Sequence, residues 1–204
     1  MTGPVAPDVA YVLRKLANGR PEERGDALAM LADDPTLYPP AERLLRVLVF
    51  QENDLFLRER MIDALAQMAV YRLWGGEQVS QFGVRRVAQA EGYRIPPAPP
   101  ANDPSVLVFE RLIHENNAYI VAHARAARAR LGIRAGLWGL ILSLEDRDTY
   151  PEIADLSLQL LRQDTGLHMS GDAADWWDLY ERYSVGAHFR DPKFASRSAH
   201  EAGL

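Results

Sequence analysis

The side chains that could carry out acid–base or metal chemistry are few and widely spaced in this sequence. The five histidines, at positions 114, 123, 168, 188 and 200, never fall four residues apart, the spacing that places two ligands on one helical face. His114 and Glu110 could form a mixed pair one turn apart, but two such ligands do not make a metal site, and a helix-surface contact is the simpler interpretation. The absence of cysteine excludes disulfides, cysteine-ligated zinc, iron–sulfur clusters and thiol nucleophiles. We therefore predict no metal and no cofactor.

Catalytic sequence motifs are also missing. The chain contains no GxxxxGK[ST], GxGxxG, HExxH or GxSxG segment. Four carboxylates recur every third residue near the end of the chain, at Asp172, Asp175, Asp178 and Glu181. Paired acid–base carboxylates need a cleft opposite them, so we interpret this row as a capping and solubilising feature of a terminal helix. The sequence predicts a protein that is not an enzyme.

The charge balance argues against a nucleic-acid partner. The net charge is -5, whereas binding to phosphates requires clustered Lys and Arg. The densest basic stretch contains Arg125, Arg128, Arg130 and Arg134, which divide between two faces when placed on a helix. We interpret it as a solvated helix on which some arginine stems pack. The basic side chains are almost all arginine, and this fits a GC-rich bacterial genome.

Nothing in the sequence indicates a membrane segment or an export signal. The N-terminal stretch MTGPVAPDVAYVLRKLANG lacks the basic, apolar and small-residue regions of a signal peptide. The longest apolar runs, LLRVLVF and GLWGLIL, are far shorter than the roughly 20 residues of a spanning helix. Together with the missing cysteines, these features predict a cytoplasmic protein.

The hydrophobic period is helical along nearly the whole chain, as in Val9, Val12, Leu13 and Leu16. No segment alternates apolar and polar residues with period two, and no Asn-Gly or Asp-Gly hairpin signal occurs, so we predict an all-α fold. Turn residues divide the chain into short predicted helices at residues 7–18, 21–33, 40–52, 54–73, 77–91, 104–115, 117–132, 134–145, 151–164 and 172–184.

The domain organisation predicted from these segments is simple. Residues 1–186 form one helical domain, and residues 187–204, which lack a sustained period, form a flexible tail. The proline-rich segment IPPAPPANDP, residues 95–104, favours a stiff extended loop within the domain. A ligand for an aromatic-lined groove is the alternative interpretation of this segment.

An internal repeat relates the helices. The second helix of each candidate pair begins near Glu22, Asp54, Asn117 and Glu152, with gaps of 32, 63 and 35 residues. The middle gap is close to twice the others, which predicts a further unit beginning near residue 84. A period of about 32 to 35 residues per helix pair is typical of an α-solenoid, here with about five antiparallel pairs.

The repeated helices resemble a known family. An offset of 63 places Leu57 on Ile120 and Arg60 on His123, behind a capping Asp or Asn. This pattern resembles the second helix of a HEAT repeat. The segment LLRQDTGLHMSGDAADWWDLYERY is similar to the end of many bacterial HEAT-repeat proteins, where a Thr-Gly turn precedes a tryptophan-rich capping helix. The resemblance covers most of residues 8–184.

The resemblance implies that the protein binds a partner on its surface. In HEAT-like solenoids the second helices line the concave face, and a mixed-sign surface suits a protein or peptide better than a polyanion. We therefore expect a non-enzymatic adaptor or regulator. The polar residues expected on its concave face are Glu23, Asp26, Arg60, Asp63, Gln67, Tyr119, His123, Arg130, Asp155 and Gln159.

Two alternatives remain open at this stage. Trp176, Trp177 and Tyr180 could form an exposed aromatic anchor for a partner, or they could close the hydrophobic end of the solenoid. The chain could also be an enzyme or a small-molecule binder, because phycobilin lyase-like proteins share the repeat and DNA-glycosylase-like proteins share the architecture. A deep pocket with convergent polar groups would favour that second class.

Overall fold

The computed structural model describes residues 8–74 and 99–184. Within these residues the regular structure is helical, with a short 3-10 turn at Pro35–Leu37. The nine α-helices of these described ranges are α1 (Val9–Asn18), α2 (Pro21–Asp33), α3 (Tyr38–Leu48), α4 (Leu55–Trp74), α5 (Pro104–Leu112), α6 (Ala118–Arg130), α7 (Arg134–Glu145), α8 (Pro151–Thr165) and α9 (Ala173–Ser184). The predicted all-α class is confirmed for this part of the chain.

The helix boundaries follow from local side-chain chemistry. Side chains of Asp8, Asp103 and Asn117 accept backbone N–H hydrogen bonds at the starts of α1, α5 and α6. These bonds satisfy donors that have no partner within the helix. Gly132 and Gly166 follow the ends of α6 and α8 with φ of 71° each, a conformation that glycine adopts without steric cost.

The third helix lies where it was predicted to within four residues, with both ends shifted towards the N-terminus. The helix begins at Tyr38 instead of residue 40, so that Pro39 and Pro40 lie in its first turn, where a missing N–H costs no hydrogen bond. It ends at Leu48 instead of residue 52, and the chain turns there, with the N–H groups of Gln51 and Glu52 both donating to the Leu48 carbonyl. The segment 104–115 also ends early, at Leu112.

Helices that are adjacent in the chain pack as pairs, α1 with α2, α3 with α4, α5 with α6 and α7 with α8, and α6 also packs on α7. The second helices of these pairs also contact one another in series, α2 with α4, α4 with α6 and α6 with α8. α9 packs against α7. The predicted helix at 77–91, the unit expected near residue 84, the first part of the proline-rich segment and the tail 187–204 lie outside the described residues.

Helix α6 separates two hydrophobic cores. Ile120, Ala124 and Ala127 belong to the core shared with α1 to α5, whereas Ala122 and Ala126 belong to the core shared with α7 to α9. Alanine side chains are small, so four other helices can approach α6 closely. The polar side chains of α6 must therefore extend into the narrow spaces between these helices.

Candidate functional site

A cluster of polar side chains joined by ion pairs lies between the second helices of the pairs. It consists of Glu59 and Asp63 on α4, His123 and Arg130 on α6, and Asp164 on α8, and we name it the polar seam. Arg130 donates from Nε to Oδ1 of Asp164 at 2.6 Å and from Nη1 to Oδ1 of Asp63 at 3.2 Å. One guanidinium therefore joins three helices.

His123 extends the polar seam along α4. Its Nδ1 lies 3.4 Å from Oδ1 of Asp63, and its Nε2 lies 3.8 Å from Oε2 of Glu59. His123 and Arg130 are seven residues apart, which places them on the same face of α6. Glu59 of α4 lies beside His123 of α6, whereas Asp63, one turn further along α4, reaches Arg130 further along α6. The two helices therefore run parallel.

Burial controls the acid–base properties of the polar seam. The side chain of Asp164 is only 8% exposed, and this burial raises its pKa to about 6 although Arg130 opposes the shift. Burial also raises the pKa of Glu59. At Asp63 burial acts in the same direction, but Arg130 and His123 outweigh it and hold the pKa of this carboxyl below its usual range.

Two buried atoms of the polar seam have no hydrogen-bond partner, Nη2 of Arg130 and Oδ2 of Asp164. The other contacts engage the charged groups with one another, and a buried ion pair of this kind chiefly fixes how its helices pack. Within residues 8–74 and 99–184, no group of three or more His, Asp or Glu side chains is arranged to hold a metal ion. The polar seam is a connection between helices, and its most accessible side chains are Asp63 and Glu59, at 32% and 19% exposure.

Three predicted concave-face residues, Asp63, His123 and Arg130, thus come together, while Arg60 and Gln67 on α4 have other partners. The Arg60 guanidinium lies over the Phe56 ring, 5.7 Å from its centroid, and close to Gly25 on α2. Gln67 donates from Nε2 to the hydroxyl of Tyr38 at 3.0 Å, so it is turned towards α3.

The predicted residues of α2 lie beside α1. Glu23 forms an ion pair with Lys15 and accepts the backbone N–H of Arg20 at 2.9 Å, which completes a cap at the start of α2. Asp26 is exposed and lines a small groove with Tyr11 of α1. These carboxylates therefore stand at the outer side of the first helix pair.

Asp155 and Gln159 do not share a face with the polar seam. Asp155 and Asp164 are nine residues apart, about two and a half helical turns, so they project from opposite sides of α8. That Asp155 and Gln159 belong to the concave face stays a prediction. Both line a cleft of about 520 Å³ whose residues are Asp155, Leu158, Gln159, Arg162, Gln163 and His168.

The arginine-rich stretch of α6 is not a solvated face. Arg125 donates from Nη1 to the Gly139 carbonyl and to Oγ of Ser143, each at 3.1 Å. Arg128 pairs with Glu110 of α5 at 2.9 Å, so Glu110 has a different partner from the one considered in the sequence. The arginines of α6 point to different neighbouring helices because α6 is surrounded, and they form no stripe for phosphates.

A second ion cluster, which the sequence analysis missed, joins α3, α4 and α5. Arg72 donates to both carboxylate oxygens of Glu42 and pairs with Asp103 at 2.8 Å. Ser105 donates from Oγ to Glu42 at 2.7 Å. Burial disfavours the charged form of Asp103, but Arg72 and the backbone N–H of Ser105 outweigh it and lower the pKa. The cluster is engaged within the fold and presents no free group to a ligand.

The three aromatic residues proposed as an exposed anchor are buried. Trp176, Trp177 and Tyr180 are 0%, 7% and 6% exposed and belong to the second core. Trp176 donates from Nε1 to the Ser170 carbonyl at 3.0 Å, and Trp177 donates from Nε1 to Oε1 of Glu145 at 2.8 Å. The exposed-anchor hypothesis is therefore wrong, and the side chains instead complete the core beneath α9.

Five aromatic side chains of the described residues are exposed, Tyr11, Phe56, Tyr71, Tyr119 and Tyr150, and two of them lie at the beginnings of α4 and α6. Phe56 is 65% exposed and Tyr119 is 38% exposed, and each is the second residue of its helix. Tyr119 was predicted on the concave face, whereas Phe56 was missed. The offset of 63 residues already places Phe56 on Tyr119, so the repeat itself was the signal that could have found it.

No helix in the described ranges is long and apolar enough to cross a membrane. Comparison with family models, with curated proteins and with solved structures finds no match for the chain.

Proposed function

We propose that the chain is a HEAT-like α-solenoid that acts as a non-enzymatic interaction module and binds a protein or peptide on the concave face formed by its second helices. The serial contacts of α2, α4, α6 and α8 support the repeat architecture. Gly132 and Gly166, which follow the ends of α6 and α8, also support the repeat architecture, because both have φ of 71° and they are 34 residues apart.

The exposure of Phe56 and Tyr119 carries the functional proposal. Large aromatic side chains dominate the binding energy of protein interfaces, and these two occupy equivalent positions on adjacent parallel helices. The polar seam beside them is occupied by its own ion pairs, as expected for a scaffold and not for a set of reactive groups. The aromatic pair therefore offers a partner its most favourable contact.

Affinity capture from the native host with the full chain tests the proposal. We expect specific proteins to be recovered by the wild type and by the control Tyr150→Ala, which removes an aromatic ring of similar exposure. The double variant Phe56→Ala/Tyr119→Ala should lose them while its melting temperature stays close to that of the wild type. Recovery of the same proteins by the double variant would contradict the proposal.

Charge reversal gives a second test, but only at one of the two residues that the sequence suggested. Asp63 pairs with Arg130, so its reversal would place two cations together and lower the stability of the fold. Arg60 has no ion pair of this kind among the contacts described above, and Arg60→Glu alters the proposed concave face while leaving the polar seam in place.

The cleft on α8 favours a second candidate function, a small-molecule binder or an enzyme on a HEAT-like scaffold, lyase-like or DNA-glycosylase-like. Its volume of about 520 Å³ lies in the range of ligand pockets, and Arg162 and His168 supply polar groups. Arg162 already donates from Nε and Nη2 to the Met169 carbonyl, which leaves less of it for a ligand. A ligand-induced rise in melting temperature that disappears in Arg162→Met would support this function over the first.

A further inference from the structure

The cleft on α8 follows one face of this helix and has a volume of about 520 Å³. Asp155, Gln159, Arg162 and Gln163 recur along α8 at spacings that place them on one face, and His168 joins them from the segment after the helix. Asp155 and Arg162 are seven residues apart, about 10 Å along the helix axis. The cleft therefore has an acidic end and a basic end, with room for a small molecule between them.

The carboxylate at the acidic end already has a counter-ion. Arg147, which follows α7, lies with its Nη2 3.2 Å from Oδ1 of Asp155. The side chain of Asp155 is 70% exposed, so water also screens its charge. The acidic end therefore adds little net negative charge to the cleft.

The guanidinium at the basic end has no counter-ion. Arg162 donates from Nε at 3.1 Å and from Nη2 at 2.6 Å to the Met169 carbonyl, which is a neutral group. Arg162 forms no ion pair with a carboxylate of the described residues. The two bonds to Met169 hold the guanidinium in place and leave its other N–H donors for a ligand, enough to face both oxygens of a carboxylate.

The side chains around Arg162 have unused hydrogen-bonding groups. Gln159, Gln163 and His168 form no hydrogen bond with another residue in the part of the chain that the structure describes. Each glutamine amide carries N–H donors, and Leu158 contributes an apolar contact to the same cleft. A positioned cation beside amide donors and an apolar side chain is suited to an organic anion.

We propose that the α8 cleft binds a small organic molecule through a carboxylate group, which pairs with Arg162 and accepts hydrogen bonds from the amides of Gln159 and Gln163. The inference rests on the second candidate function and specifies its ligand class. It does not depend on Phe56 or Tyr119. The binding strength decreases as salt is added, because the charged groups of the cleft face solvent.

NMR titration of the isotope-labelled full chain tests this ligand class. The probes are benzoate and benzamide, which match in size and shape and differ in charge. We expect benzoate to shift the side-chain amide signals of Gln159 and Gln163. Benzamide should bind about tenfold more weakly, and Arg162→Met should weaken benzoate binding by about tenfold or more, because a hydrogen bond to a charged group is lost in each case.

A charge change beside Arg162 provides a test that leaves the bonds to Met169 in place. Gln159→Glu adds a carboxylate at an exposed position of the cleft, and it should weaken benzoate binding by about twofold to fivefold. The control Gln51→Glu makes the same change at an exposed residue outside the cleft, and it should bind benzoate like the wild type. Thermal melting of each variant separates a lost contact from a lost fold.

Three results would overturn the inference: no binding of benzoate, equal binding of benzamide, or unchanged benzoate affinity in both Arg162→Met and Gln159→Glu. Tighter binding of the peptide Gly-Ser-Gly-Phe than of benzoate would also overturn it, because the carboxylate would then come from a chain terminus. Failure here is distinguishable from failure of the second candidate function. Equal binding of the two probes in the cleft would leave a small-molecule site standing and remove only its carboxylate ligand.

Discussion

Arg130 and Asp164 form an ion pair across the second-helix layer, with 2.6 Å between Nε and Oδ1. The two residues are 34 positions apart and lie at the ends of α6 and α8. Because Arg130 also reaches Asp63 on α4, one side chain sets the relative position of three helices that belong to different pairs. The polar seam therefore adds charged contacts between helices that also pack on one another.

Removal of this arginine should destabilise the fold strongly. Arg130→Met leaves Asp164 buried without its counter-charge, and breaking such a pair typically costs about 3–5 kcal/mol. The free energy of unfolding, measured by urea denaturation, provides the check. The control Arg43→Met changes an exposed arginine of α3 and should stay within about 0.5 kcal/mol of the wild type. Equal effects of both substitutions would refute the role of the polar seam.

Asp164 should make a pH-dependent contribution to stability. Its pKa is raised to about 6 in the folded chain, above the roughly 3.9 of an unperturbed aspartate, so the folded state binds the proton more tightly. The stabilisation is complete below about pH 4 and is lost as the pH rises through about 6. Between pH 5 and pH 7 the wild type should lose about 1 kcal/mol that Asp164→Asn does not lose.

Urea denaturation of both chains at pH 5 and pH 7 measures this difference. The comparison with Asp164→Asn isolates one carboxyl, because groups with lowered pKa values, such as Asp63, act with the opposite sign in both chains. A constant difference in stability between the two chains at both pH values would show that Asp164 keeps an ordinary pKa.

Close packing of α7 on α6 should make Gly136 intolerant of a side chain. A Cβ at this position would lie 2.3 Å from the Arg125 carbonyl oxygen and 2.6 Å from the Ala129 nitrogen, both backbone atoms that cannot rotate away. Gly136→Ala should therefore cost about 1–3 kcal/mol or more by forcing the helices apart. Thermal unfolding monitored by circular dichroism provides the measurement.

Gly25→Ala is the matched control for this prediction. The nearest atom to its added Cβ is Nη1 of Arg60 at 3.3 Å, the end of a flexible side chain. Alanine favours the helix by up to about 1 kcal/mol over glycine, so this variant should be as stable as the wild type or more stable. If both variants lose stability equally, the close approach of α6 and α7 is not the cause.

The burial of Trp176 predicts a structural role for the aromatic residues of α9. Trp176 is fully buried, and Trp176→Ala should cost about 3–5 kcal/mol and lower the melting temperature. Tyr150→Ala, which removes a 58% exposed ring, should leave the melting temperature nearly unchanged. A variant at Trp176 that loses a partner but melts like the wild type would restore the exposed-anchor hypothesis.

The helices of this chain could be predicted from its sequence because helix formation depends on residues that are close together in the chain. Apolar spacing predicted the all-α class, and α2 and α7 were placed at their observed bounds. Asn117 was correctly expected to cap its helix. The positions of Pro39 and Pro40 were misjudged, since prolines mark both a break and the first turn of a helix, and only the packed structure distinguishes the two.

The contacts between helices were decided only by the tertiary structure. The sequence nominated Asp63, His123 and Arg130 among the polar residues of one face, but it missed Asp164, whose partner is 34 residues away in the chain. A polar residue on a helix does not reveal which neighbouring helix will cover it. Periodicity is a property of one helix, whereas burial and pairing depend on how neighbouring helices are rotated and aligned, and that is set by the packing of the whole fold.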